Sequence, residues 1–365
     1  GSARFRGMSG SMGAIGGDLS AININAAGSV VFKYNTFSAT LSGFNKKNDA
    51  TYFGSNSSDS NFKVDINQIG AVFVFDNTDE NSDWKKLSVG VNYENTNNFN
   101  NRIKINGTNP YNSIGDYFLN ATQNVPFDVL NQYSYNELFF NEQQTFLGYD
   151  SYIIDYDSAN DTYYTNVPNG GNFAQQKYTS SNGYNGKLTG NFAANYNDIL
   201  SFGMNLNIHF TDYNTSSLLT ERNNNGLYST GYTIQSIKFD NDLYTYGRGF
   251  SFNLGTIAKV TNEFRVGLAY ESPTWYRMND DLNGDYLAVS DPNLINVYPS
   301  YSIKTPGKWT GSAAYIFGST GFINIDVSSK DYSNTKFKPK NDDLFYNLNS
   351  VMDKNLKNAI SYNIG

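Results

Sequence analysis

Every second residue of the stretch 201–210 is apolar: Phe202, Met204, Leu206, Ile208 and Phe210 alternate with Ser201, Gly203, Asn205, Asn207 and His209. Successive side chains of an extended chain point to opposite faces. Strict period two therefore predicts a strand with one face in an apolar medium. Its length, about ten residues, is also that of a tilted strand crossing a bilayer.

The alternation recurs along the chain. Leu87, Val89, Val91 and Tyr93 oppose Ser88, Gly90, Asn92 and Glu94, and Leu188, Phe192 and Tyr196 oppose Lys187, Thr189, Asn191 and Asn195. Phe250, Phe252 and Leu254 oppose Gly249, Ser251, Asn253 and Gly255. Phe264, Val266, Leu268 and Tyr270 oppose Arg265, Gly267, Ala269 and Glu271, and Trp309, Tyr315 and Phe317 oppose Thr310, Ser312 and Ala314. Ile323, Ile325 and Val327 oppose Asn324, Asp326 and Ser328, while residues 30–44 and 61–76 are less regular but rich in Val, Phe and Ile. About nine strands result, and a tenth is expected to start near Ala359. The polar face carries charges that a sandwich core would reject. Glu94, Lys187, His209, Arg265 and Glu271 are therefore expected to face an aqueous lumen, with the apolar face in lipid.

Composition agrees. Charged residues make up 16% of the chain, against roughly 25% in an ordinary soluble domain. Aromatics reach 16%, yet mean hydropathy is −0.51. No run of 18 apolar residues exists, which leaves a closed barrel as the way to span a membrane. A net charge of −7 argues against a nucleic-acid partner. The absence of cysteine fits an exported protein.

Connections alternate in length as they do in outer-membrane barrels. Residues 77–85, 197–198, 261–263 and 318–321 are short links, and 45–60, 98–183, 214–242, 278–299 and 333–358 are long ones. This series puts the N-terminus on the periplasmic side. Loops as long as 98–183 are commonly functional, and 118–149 could hold amphipathic helices or paired strands. Aromatics at strand ends (Tyr34, Phe75, Tyr93, Tyr270, Trp275, Tyr276, Trp309 and Phe317) are expected to form interfacial girdles.

Residues 1–29 break the pattern. They are dense in Gly, Ala and Ser, with Arg4, Arg6 and Asp18 as the charges. Glycine accepts positive φ and close backbone approach, so the segment is expected to be a compact plug inside a barrel spanning 30–365. The barrel is expected to lack strands at its C-terminal end.

Catalysis and cofactors are not expected. His209 is the one histidine, and a triad or multi-His metal centre needs partners that the spacing does not supply. Gly10-x-x-Gly13-x-x-Gly16-Gly17 does not follow a strand and lacks the Gly-Lys-Ser of a phosphate loop. Asp281, Asn283 and Asp285, like Asp155, Asp157 and Asp161, space oxygens as calcium loops do, but without the closing Glu. Asp, Asn and Gly are equally the residues of turns.

The stretch Gly7-Met8-Ser9-Gly10-Ser11-Met12-Gly13-Ala14-Ile15-Gly16-Gly17-Asp18-Leu19-Ser20, followed by Asn23-Ile24-Asn25-Ala26-Ala27-Gly28, resembles the N-terminal hatch of the outer-membrane long-chain fatty-acid transporter family, FadL/TodX type. Ala26 stands where the family has proline. Residues 264–273 and Thr305-Pro306-Gly307-Lys308-Trp309 resemble later strands of that family. The resemblance implies a 14-stranded barrel, of which this chain would supply about ten strands, closed by the hatch. Hydrophobic small molecules, long-chain fatty acids or aromatic hydrocarbons, would be captured outside and released sideways into outer-membrane lipid. Ser9, Gly10, Gly13, Gly16, Gly17, Asp18, Asn25, Ala26 and Ala27 would form the gate. The alternative is a non-transporting barrel that serves as a scaffold for other outer-membrane proteins.

Overall fold

The computed structural model describes the backbone of residues 1–287 and 295–365, and the side chains of 1–282 and 296–365. Ten antiparallel strands follow one another along its main sheet: β1 (Thr36–Tyr52), β2 (Ser55–Asp76), β3 (Trp84–Asn98), β4 (Phe173–Tyr196), β5 (Leu200–Asn223), β6 (Ser236–Lys259), β7 (Phe264–Glu271), β8 (Lys308–Phe317), β9 (Gly321–Asp331) and β10 (Asn358–Ile364). Strands Trp275–Leu287 and Tyr301–Lys304 extend the sheet beside β6.

Side chains divide as the alternation requires, but inside out relative to a soluble fold. On β5, Phe202, Leu206 and Ile208 are 46%, 42% and 47% exposed, while Asn205 and Asn207 are 0% and 1%. The same division holds on β3, β4 and β9, where Ser88, Asn92, Asn191 and Asn324 are buried and Leu87, Val89, Phe192 and Ile323 are exposed. An apolar exterior around a polar interior is the wall of a transmembrane barrel.

The wall is curled. Ser11 donates to the Asn324 carbonyl on β9 at 3.0 Å and Ser20 to Gln68 Oε1 on β2 at 2.7 Å. Those strands are seven neighbours apart along the sheet, roughly 34 Å if it were flat. The nine residue-to-residue steps from Ser11 to Ser20 span at most about 32 Å fully extended, and the chain turns repeatedly along them. The sheet therefore bends around them.

Several strands run beyond the expected boundaries. Residues 45–60 are not a long loop: β1 and β2 continue through them to a two-residue turn at Phe53 and Gly54, with φ of 46° and 81°. Likewise β5 reaches Asn223 and β6 begins at Ser236, inside the expected loop 214–242. At 24 residues, β4, β5 and β6 are about 80 Å long, far more than a bilayer needs. Past the lipid band both faces are wet, so the apolar alternation that marks a strand in sequence disappears. The first strand also begins later than residue 30, because Val30 and Val31 belong to a 3-10 turn, Ala26–Val31. The short links hold, including Asn197-Asp198, where both residues take positive φ, as a type I′ hairpin requires.

The long segment between β3 and β4 is a small domain over the loop end of the wall. A strand, Asn101–Asn109, pairs with the outer half of β4. Helices Gly115–Ala121, Phe127–Gln132 and Phe140–Asp150 and the hairpin Ile154–Asp157/Thr162–Thr165 follow. Residues 118–149, where helices and strand pairs were both open, are thus mainly helical. Phe118, Leu147, Ile154 and Val167 make its core and pack on Phe173 and Ile237 of the wall.

One carboxylate ties this cap down. Glu221 is 3% exposed and accepts from Ser113 Oγ at 2.5 Å, the Ile114 amide at 2.7 Å and Gln175 Nε2 at 2.7 Å. Glu221→Ala strands two buried donors, Ser113 Oγ and the Ile114 amide, and takes one of two acceptors from the half-buried Gln175 Nε2; hydrogen bonds to charged groups contribute about 1.5–3 kcal/mol each. The expected result is a local destabilisation on the order of 3 kcal/mol, read as faster amide exchange in residues 110–172 with the wall strands unchanged.

Candidate functional site

The first 31 residues lie on the polar, concave face of the wall, and residues 11–16 and 18–22 are buried. Three turns give the segment its shape. Gly16 and Gly17 take φ of 66° and 68°, and the Gly17 amide donates to the Gly28 carbonyl at 3.0 Å. A Cβ on Gly16 would sit 2.7 Å from Gly28 Cα, so residues 16–28 close into a loop that only glycine permits at this point. Asp18 orders the next turn, accepting from the Ser20 amide at 2.8 Å and Ser2 Oγ at 2.7 Å.

Asn25 braces the loop to the wall. Its Nδ2 donates to the carbonyls of Gly13 and of Thr256 on β6, both at 2.9 Å, and its Oδ1 caps the following 3-10 turn through the Ala27 amide at 3.1 Å. The cap makes proline unnecessary at Ala26, the first position of that turn, where a proline would lose no intrahelical bond.

Ala26 and Ala27 lie directly on strand backbone. Gly203 and Gly255 are register partners on β5 and β6. A Cβ on Gly203 would overlap Ala26 and Ala27, and one on Gly255 would overlap Asn25 Oδ1 and come within 2.8 Å of the Ala26 nitrogen. On β7, a Cβ on Gly267 would lie 2.8 Å from the Gly13 oxygen. These glycines form a pad that sequence reasoning passed over as polar-face residues. The available signal was three glycines at inward positions of three consecutive strands.

Wall side chains hold the segment at four further points. Asn191 donates to the Ala26 carbonyl at 2.9 Å and Asn205 to the Ile22 carbonyl at 2.8 Å. Ser29 and Ser88 hydroxyls are 2.8 Å apart. Asp326, 3% exposed, accepts from the amides of Met12 at 3.0 Å and Gly13 at 3.2 Å. Of the nine residues expected in the gate, Gly13, Gly16, Gly17, Asp18, Asn25, Ala26 and Ala27 are in this body. Ser9 is exposed and Gly10 half-buried, in a turn with φ of 52° and 73° that precedes it.

The expected lumen residues face inward. Register places Gln68, Glu94, Lys187, His209, Gly249 and Tyr276 side by side across neighbouring strands. Glu94 accepts from Asn23 at 2.7 Å and lies 3.9 Å from Lys187 Nζ. Glu271 pairs with Lys308 at 2.8 Å, and Arg265 shares the inward face of β7 with Gly267. Tyr276 is not a girdle residue. Its ring meets His209 edge-on at 5.7 Å, while its neighbour Trp275 is exposed; adjacent strand residues cannot both face lipid.

His209 Nε2 is 2.8 Å from Ser251 Oγ. Attack by a serine needs an exposed hydroxyl, an oriented imidazole and oxyanion donors. Ser251 is instead 0% exposed and shared with Asn207 Nδ2 at 3.1 Å, so the pair is a rung of the polar inner face. Of the calcium candidates, the side chains of Asn283 and Asp285 lie outside the described residues. Asp157 is occupied in its own turn by Asn160 and the Ala159 amide.

No protein-family model matches the sequence, and no curated protein matches it either. Among solved structures the chain is similar to the Pseudomonas putida toluene transporter TodX, with a TM-score of 0.46 and 13% identity over 92% of this chain and 72% of that one. It is similar to the Ralstonia pickettii toluene transporter TbuX, with a TM-score of 0.43 and 14% identity over 89% and 71% of the two chains. It is also similar to the CymD monoaromatic hydrocarbon channel, with a TM-score of 0.44 and 12% identity over 93% and 72%.

Proposed function

We propose that this chain forms the wall and gate of an outer-membrane channel for passive uptake of hydrophobic small molecules, long-chain fatty acids or aromatic hydrocarbons. The observation that carries the proposal is a lipid-facing wall whose polar interior is occupied by a segment of the same chain, docked on glycine backbone. Among the described residues, hydrogen bonds made by side chains, close packing and the ion pair of the Gly1 ammonium with Glu94 at 3.2 Å hold that segment, and each such hydrogen bond has a net worth of about 0.5–1.5 kcal/mol, or about 1.5–3 kcal/mol where it ends on the Asp326 carboxylate. Such contacts can be exchanged without unfolding the wall. Movement of residues 9–29 opens a path from the lumen to the bilayer. A greasy ligand leaves sideways, avoiding the Asn- and Ser-lined interior that would solvate it poorly.

The test is uptake of a labelled long-chain fatty acid and of labelled toluene by liposomes carrying the full chain or a variant lacking residues 9–29. Saturable uptake that changes in the variant is the expected result. Equal flux in protein-free liposomes and both proteins would sink the proposal.

A further inference from the structure

The cap between β3 and β4 has a charge pattern that neither the wall nor the plug explains. From Lys104 to Lys177 the sequence holds no other Lys or Arg, no His, and eight Asp or Glu residues, although the whole chain is at −7. Among the described residues none of these eight carboxylates is in an ion pair. The cap is thus a field of one sign at the mouth of an otherwise nearly neutral molecule, and such a field concentrates ions of opposite charge.

Within this field lies a cleft of about 840 Å³ between helix Phe127–Gln132 and hairpin Ile154–Asp157/Thr162–Thr165. Its apolar side is Val125, Phe127, Tyr156 and Tyr163. Phe127 and Tyr156 stack face to face at 4.2 Å and 2°, and Tyr163 stands at 62° to Phe127 at 6.2 Å. Its polar side is Asp128 and Asp161, both exposed. Asp161 accepts from the Tyr156 hydroxyl at 2.5 Å, which fixes that ring in place. Burial pushes the Tyr163 phenol up to about 12, so the wall of the cleft stays an uncharged ring.

Aromatic faces attract cations through the ring quadrupole, and two carboxylates beside them add attraction while repelling anions. We infer that this cleft is a binding site for hydrophobic organic cations, aryl or alkyl ammonium ions. The apolar part of the ligand would lie along Phe127 and Val125, with the ammonium between Tyr156, Asp128 and Asp161. That the site collects cargo for the channel rests on the uptake proposal; its ligand chemistry does not.

The experiment is calorimetric titration of the full chain in a neutral detergent with benzyltrimethylammonium, benzyl alcohol and phenylacetate. The cation is expected to bind at least tenfold more tightly than the alcohol, and phenylacetate not measurably. Asp128→Asn with Asp161→Asn should weaken cation binding at least tenfold, Phe127→Leu should weaken it severalfold, and Phe127→Tyr should leave it intact. Because both aspartates are exposed and their replacement is isosteric, far-UV circular dichroism and thermal stability of the Asp128→Asn/Asp161→Asn variant should not change. Equal binding of all three compounds overturns the site, as does cation binding indifferent to the substitutions. Calcium chloride that displaces the cation at equimolar concentration would mark a metal-binding acidic cluster and also overturn it. Uptake of labelled toluene by the Asp128→Asn/Asp161→Asn variant is measured separately: loss of cation binding with normal uptake upholds the site, and absent uptake in the wild-type chain refutes the channel alone.

Discussion

Gly203→Val combined with Gly255→Val is expected to raise ion conductance through the chain in planar bilayers about tenfold. The two glycines are register partners, and the backbone of residues 25–27 rests on them with no room for a Cβ. Overpacking of this kind costs typically about 1–3 kcal/mol per site, and either the wall or the plug must yield. The wall is fixed by unbroken ladders, 24 pairs long between β4 and β5 and 23 between β5 and β6. The plug is held at isolated points, so the plug moves. Gly190→Val and Gly311→Val are the controls, since a Cβ at either position meets nothing within 4 Å. Conductance that stays at the wild-type level in the double variant, with strand content retained, would mean that residues 25–27 do not seal the lumen.

How much of this was legible beforehand depends on the medium around each residue. Where a strand has lipid on one face and water or plug on the other, as in 201–210, alternation alone assigned every side chain to its observed face. Where β1 and β2 pass beyond the lipid, Ser55, Ser57, Asp59 and their neighbours are polar on both faces, and the strand had no signature distinct from a loop. The N-terminal segment was recognisable from its small residues. Its seat was not, because Gly203, Gly255 and Gly267 are far apart in sequence and meet only through register. In the cap, the run without Lys or Arg was visible in the sequence, but the stacking of Phe127 on Tyr156 joins a helix to a hairpin and required the fold.

The second anchor of the plug lies at its other end, and Asp326→Ala is expected to release it. Asp326 receives the Met12 and Gly13 amides and Asn324 Nδ2 at 2.8 Å. Alanine leaves the two buried amides unpaired, at about 1–3 kcal/mol for each stranded group, while Asn324 Nδ2 keeps its bond to Ser11 Oγ. Conductance should rise severalfold, and residues 9–14 should become susceptible to protease in detergent. Combining Asp326→Ala with Gly203→Val asks whether the plug moves as one piece. The Gly17–Gly28 bond and the Asn25–Gly13 bond tie the two anchored regions together, so the plug should behave as a rigid unit. Freeing either end of a rigid unit opens the same path, and the double variant should then conduct little more than the better single one. Two independent flaps would give effects that multiply, because sites without shared partners are additive in free energy. A multiplicative result would mean that two flaps gate separately, and the deletion of residues 9–29 would have to be divided to measure the share of each.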